Sequence, residues 1–369
     1  RLGHDLIHLW PNPVPDAPRP EYRQTPGPTG DPVENIRRRN AEEREANPHP
    51  PECRFVIYGL LREELVRRGL DLPLMSSAAE HGIWTDTDLM QTMLLAPEVA
   101  HEHFALATRR SRGWIAAHLE HGVEMIVVGG DFSANRPMIS PASYRRFIVP
   151  EVRTVTREIH AAGHLAVNAS DGDLWPVIED FCFGCEVDGY IEIDLFAGMT
   201  MRRLKETVGG RITLIGNIDC GNTLSFASPD EVRRHTLACL EDAWGGGGHI
   251  LCASNAVAAS ARIENCLAVI SAYRDFFGLP PLALPRLSEQ LGHVAHAAAE
   301  EQEGEGQRRG GDTDRDQQRP HRDRRLEARR LHQGERADER IELTEQGEAA
   351  WQLPCHERQR IDHWRQEEP

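Results

Sequence analysis

Short apolar runs alternate with longer amphipathic stretches through the middle of this chain, and no other feature restricts its fold as strongly. The strand-like runs are Arg54–Tyr58, Glu124–Val128, His164–Asn168, Gly189–Ile193, Ile212–Gly216 and His249–Cys252, with a seventh candidate at Asp5–Leu9. The helical stretches between them are Gly59–Arg68, Ala96–Glu120, Pro141–Ala162, Leu174–Phe181, Met201–Thr207, Pro229–Ala243 and Arg262–Phe277. Strands connected by helices pair in parallel, so the pattern predicts an α/β fold, a (β/α)8 barrel, with a doubly wound open sheet as the alternative. Because seven strands leave a barrel one short, we expect its first β/α unit upstream of Arg1.

The two ends of the chain differ from this middle part. Residues 11–51 are rich in proline and predict an extended loop with one short polar helix at Val33–Ala46. The last 69 residues, from Glu301, contain 14 Arg and 12 Glu but no Val, Phe, Met or Tyr. Such a segment buries too little apolar surface to offset its chain entropy. We therefore predict a barrel over residues 1–284 and a charged, disordered tail over 285–369. A sequence rich in Arg with almost no Lys is also typical of a GC-rich gene read out of frame, which is an alternative origin for the tail.

Charge and hydropathy exclude several classes of protein. The net charge of −16 disfavours a nucleic-acid partner, which requires a basic surface. No apolar run approaches the length of a membrane span, and the mean hydropathy is −0.51. The first residues also lack the pattern of a secretory leader, so we expect a cytoplasmic protein. The eight cysteines are scattered and predict reduced thiols rather than a disulfide framework.

Polar side chains follow five of the predicted strands. In a parallel barrel the carboxyl ends of the strands meet at one mouth, where active sites lie. Each residue taken alone is equally typical of a helix cap or a turn, but five strand ends with this feature favour a site. The residues in question are Asp131, Asn168, Asp171, Asp194, Asn217, Asp219 and Asn255.

Motifs for other chemistries are absent from the sequence. Cys182 and Cys185 form a lone CxxC without a second pair, so a zinc knuckle is not predicted. His101 and His103 do not share a helix face, and His118 and His121 have no evident carboxylate partner. There is no nucleophile elbow, phosphate loop or dinucleotide fingerprint.

The order of several motifs resembles the uroporphyrinogen decarboxylase superfamily. They are residues 122–150 (GVEMIVVGGDFSANRPMISPASYRRFIVP), 168–173 (NASDGD), 204–205 (LK), 216–219 (GNID), 228–232 (SPDEV), 246–251 (GGGHIL), 254–255 (SN) and 263–265 (IEN). The resemblance is close over residues 123–278 and looser before them. It implies a (β/α)8 barrel whose relatives either decarboxylate uroporphyrinogen III, a step of porphyrin biosynthesis, or transfer methyl groups to and from cobalamin-bound proteins.

Substitutions at family positions separate these two activities. The decarboxylases carry an Asp that binds pyrrole N–H groups, and the matching residue here is Asn12, which cannot stabilise a cationic pyrrole as a carboxylate does. Zinc-dependent methyltransferases of the family use one His and two Cys where this chain has Asn168, Ser170 and Asn255. Amides and hydroxyls are poor zinc ligands. The resemblance therefore favours a zinc-free, corrinoid-linked methyltransferase.

This interpretation gives each candidate residue a role. Asp171 and Asp219 are the candidate catalytic proton donors or acceptors, while Asp131, Asn168, Asn217 and Asn255 bind the substrate. No metal and no tightly bound cofactor are expected. The resemblance implies that a partner corrinoid protein presents the cobalamin and that a tetrahydropterin is the methyl acceptor. A homodimer is expected because barrels of this superfamily are often dimeric. The alternatives are a uroporphyrinogen III decarboxylase and a non-catalytic or decayed family member.

Overall fold

A computed structural model describes residues 5–11 and 29–282, and within them seven parallel strands form one sheet. Each strand pairs with its neighbours in the chain, in the order β1 to β7. The strands are β1 (Ile7–His8), β2 (Leu74–Ser77), β3 (Met125–Gly129), β4 (Leu165–Ala169), β5 (Gly189–Ile191), β6 (Thr213–Ile215) and β7 (His249–Ile250). This sequential order is that of a (β/α)8 barrel, so the predicted fold class is confirmed and the doubly wound alternative is wrong. Asn12 and the predicted tail lie outside the described residues.

Alternate residues of the strands face two different cores. Met75, Val127, Val167, Ala169, Ile191 and Ile215 pack on one another on the inner face of the sheet. Their neighbours in sequence, such as Ile126 and Tyr190, belong to a second and larger core beneath the helices. Residues of five strands meet in the inner cluster because the sheet curls around it.

Helices follow most of the strands and cover the outer face. Their bounds are α1 (Pro32–Glu45), α2 (Val56–Arg67), α3 (Thr87–Leu95), α4 (Pro97–Glu120), α5 (Pro141–Ser143), α6 (Val149–Ala161), α7 (Met201–Thr207), α8 (Thr223–Phe226), α9 (Pro229–Ala243) and α10 (Ile263–Phe276). Several begin at sequence-encoded caps: Asp31 accepts hydrogen bonds from the first turn of α1, and Ser228 with Glu231 forms a capping box on α9. None of the helices in the described ranges is long and apolar enough to cross a membrane.

One predicted strand is wrong. Residues 54–58 (RFVIY) form the end of a 3-10 turn and the start of helix α2, with Phe55 and Tyr58 buried three positions apart. The strand that belongs here is β2, whose sequence LMSS escaped notice because its second half is polar. Ser76 is nevertheless fully buried, since Tyr58 donates a hydrogen bond to its hydroxyl at 2.7 Å and the His118 ring lies 2.9 Å from it. Hydropathy does not detect a strand that is buried against a polar network.

The predicted helix Pro141–Ala162 is interrupted by a π turn at Tyr144–Ile148. Pro150 has no N–H group to donate to the carbonyl of Arg146, and a wider turn accommodates the missing bond. The predicted helix Leu174–Phe181 is also irregular, with a 3-10 turn at Trp175–Val177 and a π turn at Asp180–Gly184.

Candidate active site

A cavity of about 500 Å³ opens where the carboxyl ends of the strands converge. Asp131 follows β3, Ala169 ends β4 and Glu192 follows β5, so three strands supply its floor. The loop after β2 and the segment around β1 supply the rim. The lining includes His8, Trp10, Pro11, Arg54, Ser77, Glu80, Trp84 and Trp114. This is the end of a parallel barrel at which active sites lie.

Two glycines bring the loop after β2 against the end of β3. A Cβ atom on Gly130 would lie 2.7 Å from the backbone nitrogen of Gly82, and the φ of Gly130 is +134°. The backbone N–H groups of Ile83 and Trp84 then donate to the carbonyl oxygen of Asp131 at 2.7 and 3.1 Å. This close backbone approach holds the Asp131 carboxylate and the Trp84 indole at one cavity.

Three of the six predicted site residues are joined by hydrogen bonds. The backbone N–H of Asp171 donates to Oδ1 of Asp131 at 2.9 Å, and Nδ2 of Asn255 donates to Oδ2 of Asp171 at 2.9 Å. The chain brings together residues up to 124 positions apart, from β3, β4 and β7. The structure therefore places Asp131, Asp171 and Asn255 in one arrangement at the mouth.

The pKa of Asp171 suits proton transfer near neutral pH. Burial is the main cause that raises this pKa to about 6; the hydrogen bond from Asn255 opposes the rise, and the carboxylates of Asp131 and Asp194 add to it. A carboxyl group with a pKa near the working pH can both donate and accept a proton efficiently.

Glu192 is a site residue that the sequence analysis missed. Its backbone lies in the left-handed region, with φ +69°, which is strained for a residue other than glycine. Burial, reinforced by the carboxylates of Asp131 and Asp171, raises the pKa of Glu192 to about 8. We assigned residues 189–193 (GYIEI) to a strand, yet a single carboxylate within an apolar run was the signal that could have identified it.

The other three predicted residues face away from the cavity or cap a helix. Asn168 is 1% exposed, and its Nδ2 donates to the carbonyl of Phe181 at 2.9 Å. Asn217, also buried, donates to the carbonyl of Met199 at 3.0 Å. Asp219 accepts hydrogen bonds from the backbone of Asn222 and Thr223 at the start of α8. The expected ring of six is thus divided into two groups. The cavity group at the mouth consists of Asp131, Asp171 and Asn255, and the structural group consists of Asn168, Asn217 and Asp219.

The three positions for which the sequence resemblance implied zinc ligands do not converge. Asn168 faces the helices, while Ser170 is fully buried and donates to the carbonyl of Asp171 at 3.1 Å. Asn255 is held by Asp171. Within residues 5–11 and 29–282, no group of three or more His, Cys, Asp or Glu side chains is arranged to hold a metal ion.

Comparisons with known proteins match most of the barrel. The family model for uroporphyrinogen decarboxylase (URO-D) matches residues 74–276. A methylated-thiol–coenzyme M methyltransferase from Methanosarcina mazei is 22% identical over 192 residues, which are 52% of this chain and 47% of the relative. A uroporphyrinogen decarboxylase from Burkholderia thailandensis is 24% identical over 159 residues, 42% of this chain and 41% of the relative.

A solved structure agrees with the fold. It is a methyltransferase from Methanosarcina mazei, with a TM-score of 0.51 and 21% identity, and the match covers 60% of this chain and 64% of that one. The chain spans about half the length of the curated relatives it matches.

Proposed function

Because this chain belongs to the uroporphyrinogen decarboxylase family, whose curated relatives include both decarboxylases and a methyltransferase, we propose that it is a methyl-transferring enzyme that works with a corrinoid protein. The single observation that carries the proposal is the acidity of the cavity. Asp131 and Glu192 line the cavity, and Asp171, whose backbone N–H donates to Asp131, contributes a third carboxyl group close enough to raise the pKa of Glu192.

An acidic cavity disfavours the alternative substrate. Uroporphyrinogen III carries eight carboxylates, and like charges at a poorly solvated site repel one another strongly. Arg54 is the one arginine or lysine that lines the described cavity. A methyl donor or acceptor that is neutral or cationic meets no such repulsion.

Asp171 has the properties of the proton-handling residue in this proposal. It would give a proton to the leaving group of a methyl donor, or take one from the acceptor, at a pKa near neutrality. Asp131 and Asn255 would hold Asp171 in place through the two hydrogen bonds described above.

The cobalamin belongs to the partner protein and supplies the cobalt that carries the methyl group. Trp10 and Trp84 fit such a partner, because they line the cavity and their side chains are 60% and 52% exposed. Exposed indoles offer apolar faces on which a flat macrocycle can pack.

The test is methyl exchange in solution. Purified protein is mixed with methylcobalamin and a tetrahydropterin or thiol acceptor, and demethylation is followed by the cobalamin absorbance from about pH 5 to about pH 9. We expect turnover in the wild type and a fall of at least about 100-fold in Asp171→Asn. Absence of turnover with every acceptor would contradict the proposal.

A decarboxylase is the second candidate, because Arg54 could pair with a single acetate arm of a porphyrinogen and curated relatives carry that name. Incubation with uroporphyrinogen III, followed by chromatographic separation of products by their number of carboxyl groups, distinguishes the two activities. The acidic cavity predicts unchanged substrate, and accumulation of less carboxylated products would favour decarboxylation instead.

A further inference from the structure

The carboxyl group of Glu192 lies against the cavity without a partner. It makes no hydrogen bond or ion pair with any residue in the described ranges, although it is half-buried. The nearby charged groups include Asp131 and Asp171, which repel its ionised form. A strained backbone holds it in this position, and such strain persists where a site requires it.

The basic residues around the cavity provide no cation for the ionised form of Glu192. Arg110 neutralises Glu80 with an Nη2 to Oε2 distance of 2.9 Å, and burial lowers the pKa of His8, which keeps that ring neutral. Arg54 donates to the carbonyl of Pro11 at 3.3 Å, with its guanidinium carbon 5.0 Å from the centre of the Trp114 ring. Arg54 therefore points to the rim, and no described cation pairs with Glu192.

Aromatic side chains line part of the same cavity. Trp10 and Trp84 contribute to its wall beside Trp114, whose ring already carries the Arg54 guanidinium, and the backbone of Trp84 is fixed by its bond to Asp131. The face of an indole ring attracts cations, most strongly where water is excluded. Indole faces combined with unpaired carboxylates are the side chains that select an ammonium group.

We propose that this cavity binds a cationic amine, a small ligand with a protonated or quaternary ammonium group, and that Glu192 is the residue that selects it. The inference rests on the proposed function, because it names the substrate class of the same site. The substrate would be a methylated ammonium compound: its C–N bond breaks, its methyl group passes to the nucleophilic cobalt(I) of the partner's cobalamin, and the neutral amine leaves with the electron pair of that bond. Binding of the amine would supply the cation that Glu192 lacks.

Calorimetric titration with two probes of the same shape tests the proposal. Choline is compared with 3,3-dimethylbutan-1-ol, in which a carbon atom replaces the quaternary nitrogen. At about pH 9, where Glu192 is ionised, we expect choline to bind at least about 10-fold more tightly than the alcohol. As the pH falls through about 8, Glu192 takes up a proton and the preference for choline should decrease, whereas affinity for the alcohol should not change.

Two variants identify the residues responsible. Glu192→Gln should reduce the preference for choline to less than about 3-fold, and Trp84→Leu should weaken choline more than the alcohol. Glu63→Gln, which removes an exposed carboxylate on α2, is the matched control and should retain the full preference. Thermal melts of all three variants establish that each is folded.

Three results would overturn the inference: equal affinity for the two probes, no binding of choline at millimolar concentration, or an unchanged preference in Glu192→Gln with a wild-type melt. The titration contains no cobalamin, so it is independent of methyl transfer. Methyl transfer without choline binding would leave the proposed function standing. Choline binding without transfer to or from cobalamin would remove the proposed function and the amine's role as methyl donor, but it would leave the ammonium-binding site.

Discussion

Asn168 lies near the end of β4 and Asn255 in the loop after β7, and the structure predicts very different losses of stability when each is replaced by alanine. Asn168→Ala removes two hydrogen bonds, to the carbonyl of Phe181 at 2.9 Å and from the N–H of Ala169 at 3.1 Å, at a site that is 1% exposed. A buried polar group left without its partner costs about 1–3 kcal/mol, and the void left by the side chain adds to this. We expect the free energy of unfolding to fall by about 2–4 kcal/mol in total, which lowers the Tm by roughly 4–12 °C in a domain of this size.

Urea unfolding followed by tryptophan fluorescence measures this difference. Asn168→Ala should move the midpoint to lower urea concentration with an unchanged slope, because the surface exposed on unfolding is the same. Asn255→Ala is the matched control: its side chain is exposed, so stability should change by less than about 0.5 kcal/mol. If Asn168→Ala unfolds at the same urea concentration as the wild type, or if Asn255→Ala loses as much stability as Asn168→Ala, the division of the strand-end residues into two groups is incorrect.

Three further predictions concern stability. Gly129→Ala should lower the Tm by several degrees, because the new Cβ would lie 2.0 Å from Oδ1 of Asn168 and the φ of this residue is +83°. Gly59→Ala is the control: this glycine lies in helix α2 with open space around it, so alanine should raise the Tm slightly. Thermal melts that show equal effects of the two substitutions would contradict this prediction. Asp171→Asn should raise the Tm at about pH 8 but not at about pH 4. A carboxyl group whose pKa is about 6 in the folded protein destabilises the fold as the pH rises from its lower unfolded pKa through 6, and the amide removes this cost. If the Tm of the variant and of the wild type change in parallel over a pH series, the prediction is wrong. Ser228→Ala should cost about 1 kcal/mol by removing the capping box of α9, measured by urea unfolding, and a loss below about 0.3 kcal/mol would count against that role.

The alternation of apolar and amphipathic runs was sufficient to predict the barrel order of the strands. β3, with a core of four apolar residues in sequence, was found within one residue of its bounds. β2 was missed because Ser76 is buried through hydrogen bonds from side chains 18 and 42 positions away, which no local pattern contains. The adjacent run at 54–58 was assigned to a strand because five residues are too few to separate a period of 2 from one of 3.6.

The site was predicted in part for a related physical reason. Asp131 and Asp171 follow strands and are joined by a hydrogen bond at the mouth of the barrel, where Asp131 lines the cavity, as expected from the direction of parallel strands. Asn217 and Asp219 also follow a strand, but the first faces the helices and the second caps α8, and residue type cannot separate these uses. Glu192 was missed because it lies within a run assigned to a strand: its lone carboxylate was a usable signal, but the left-handed backbone conformation that orients it has no signature in the sequence.

The central claim is that the cavity group, and not every strand-end carboxylate, performs the chemistry. The most direct test compares Asp171→Asn with Asp219→Asn by the rate of methylcobalamin demethylation per folded molecule. Asp171→Asn should lose at least about 100-fold, as expected for removal of a general acid or base. Asp219→Asn, which alters a helix cap, should stay within about 3-fold of the wild type once the folded fraction is accounted for. A wild-type rate in Asp171→Asn, with the large loss in Asp219→Asn instead, would contradict the account.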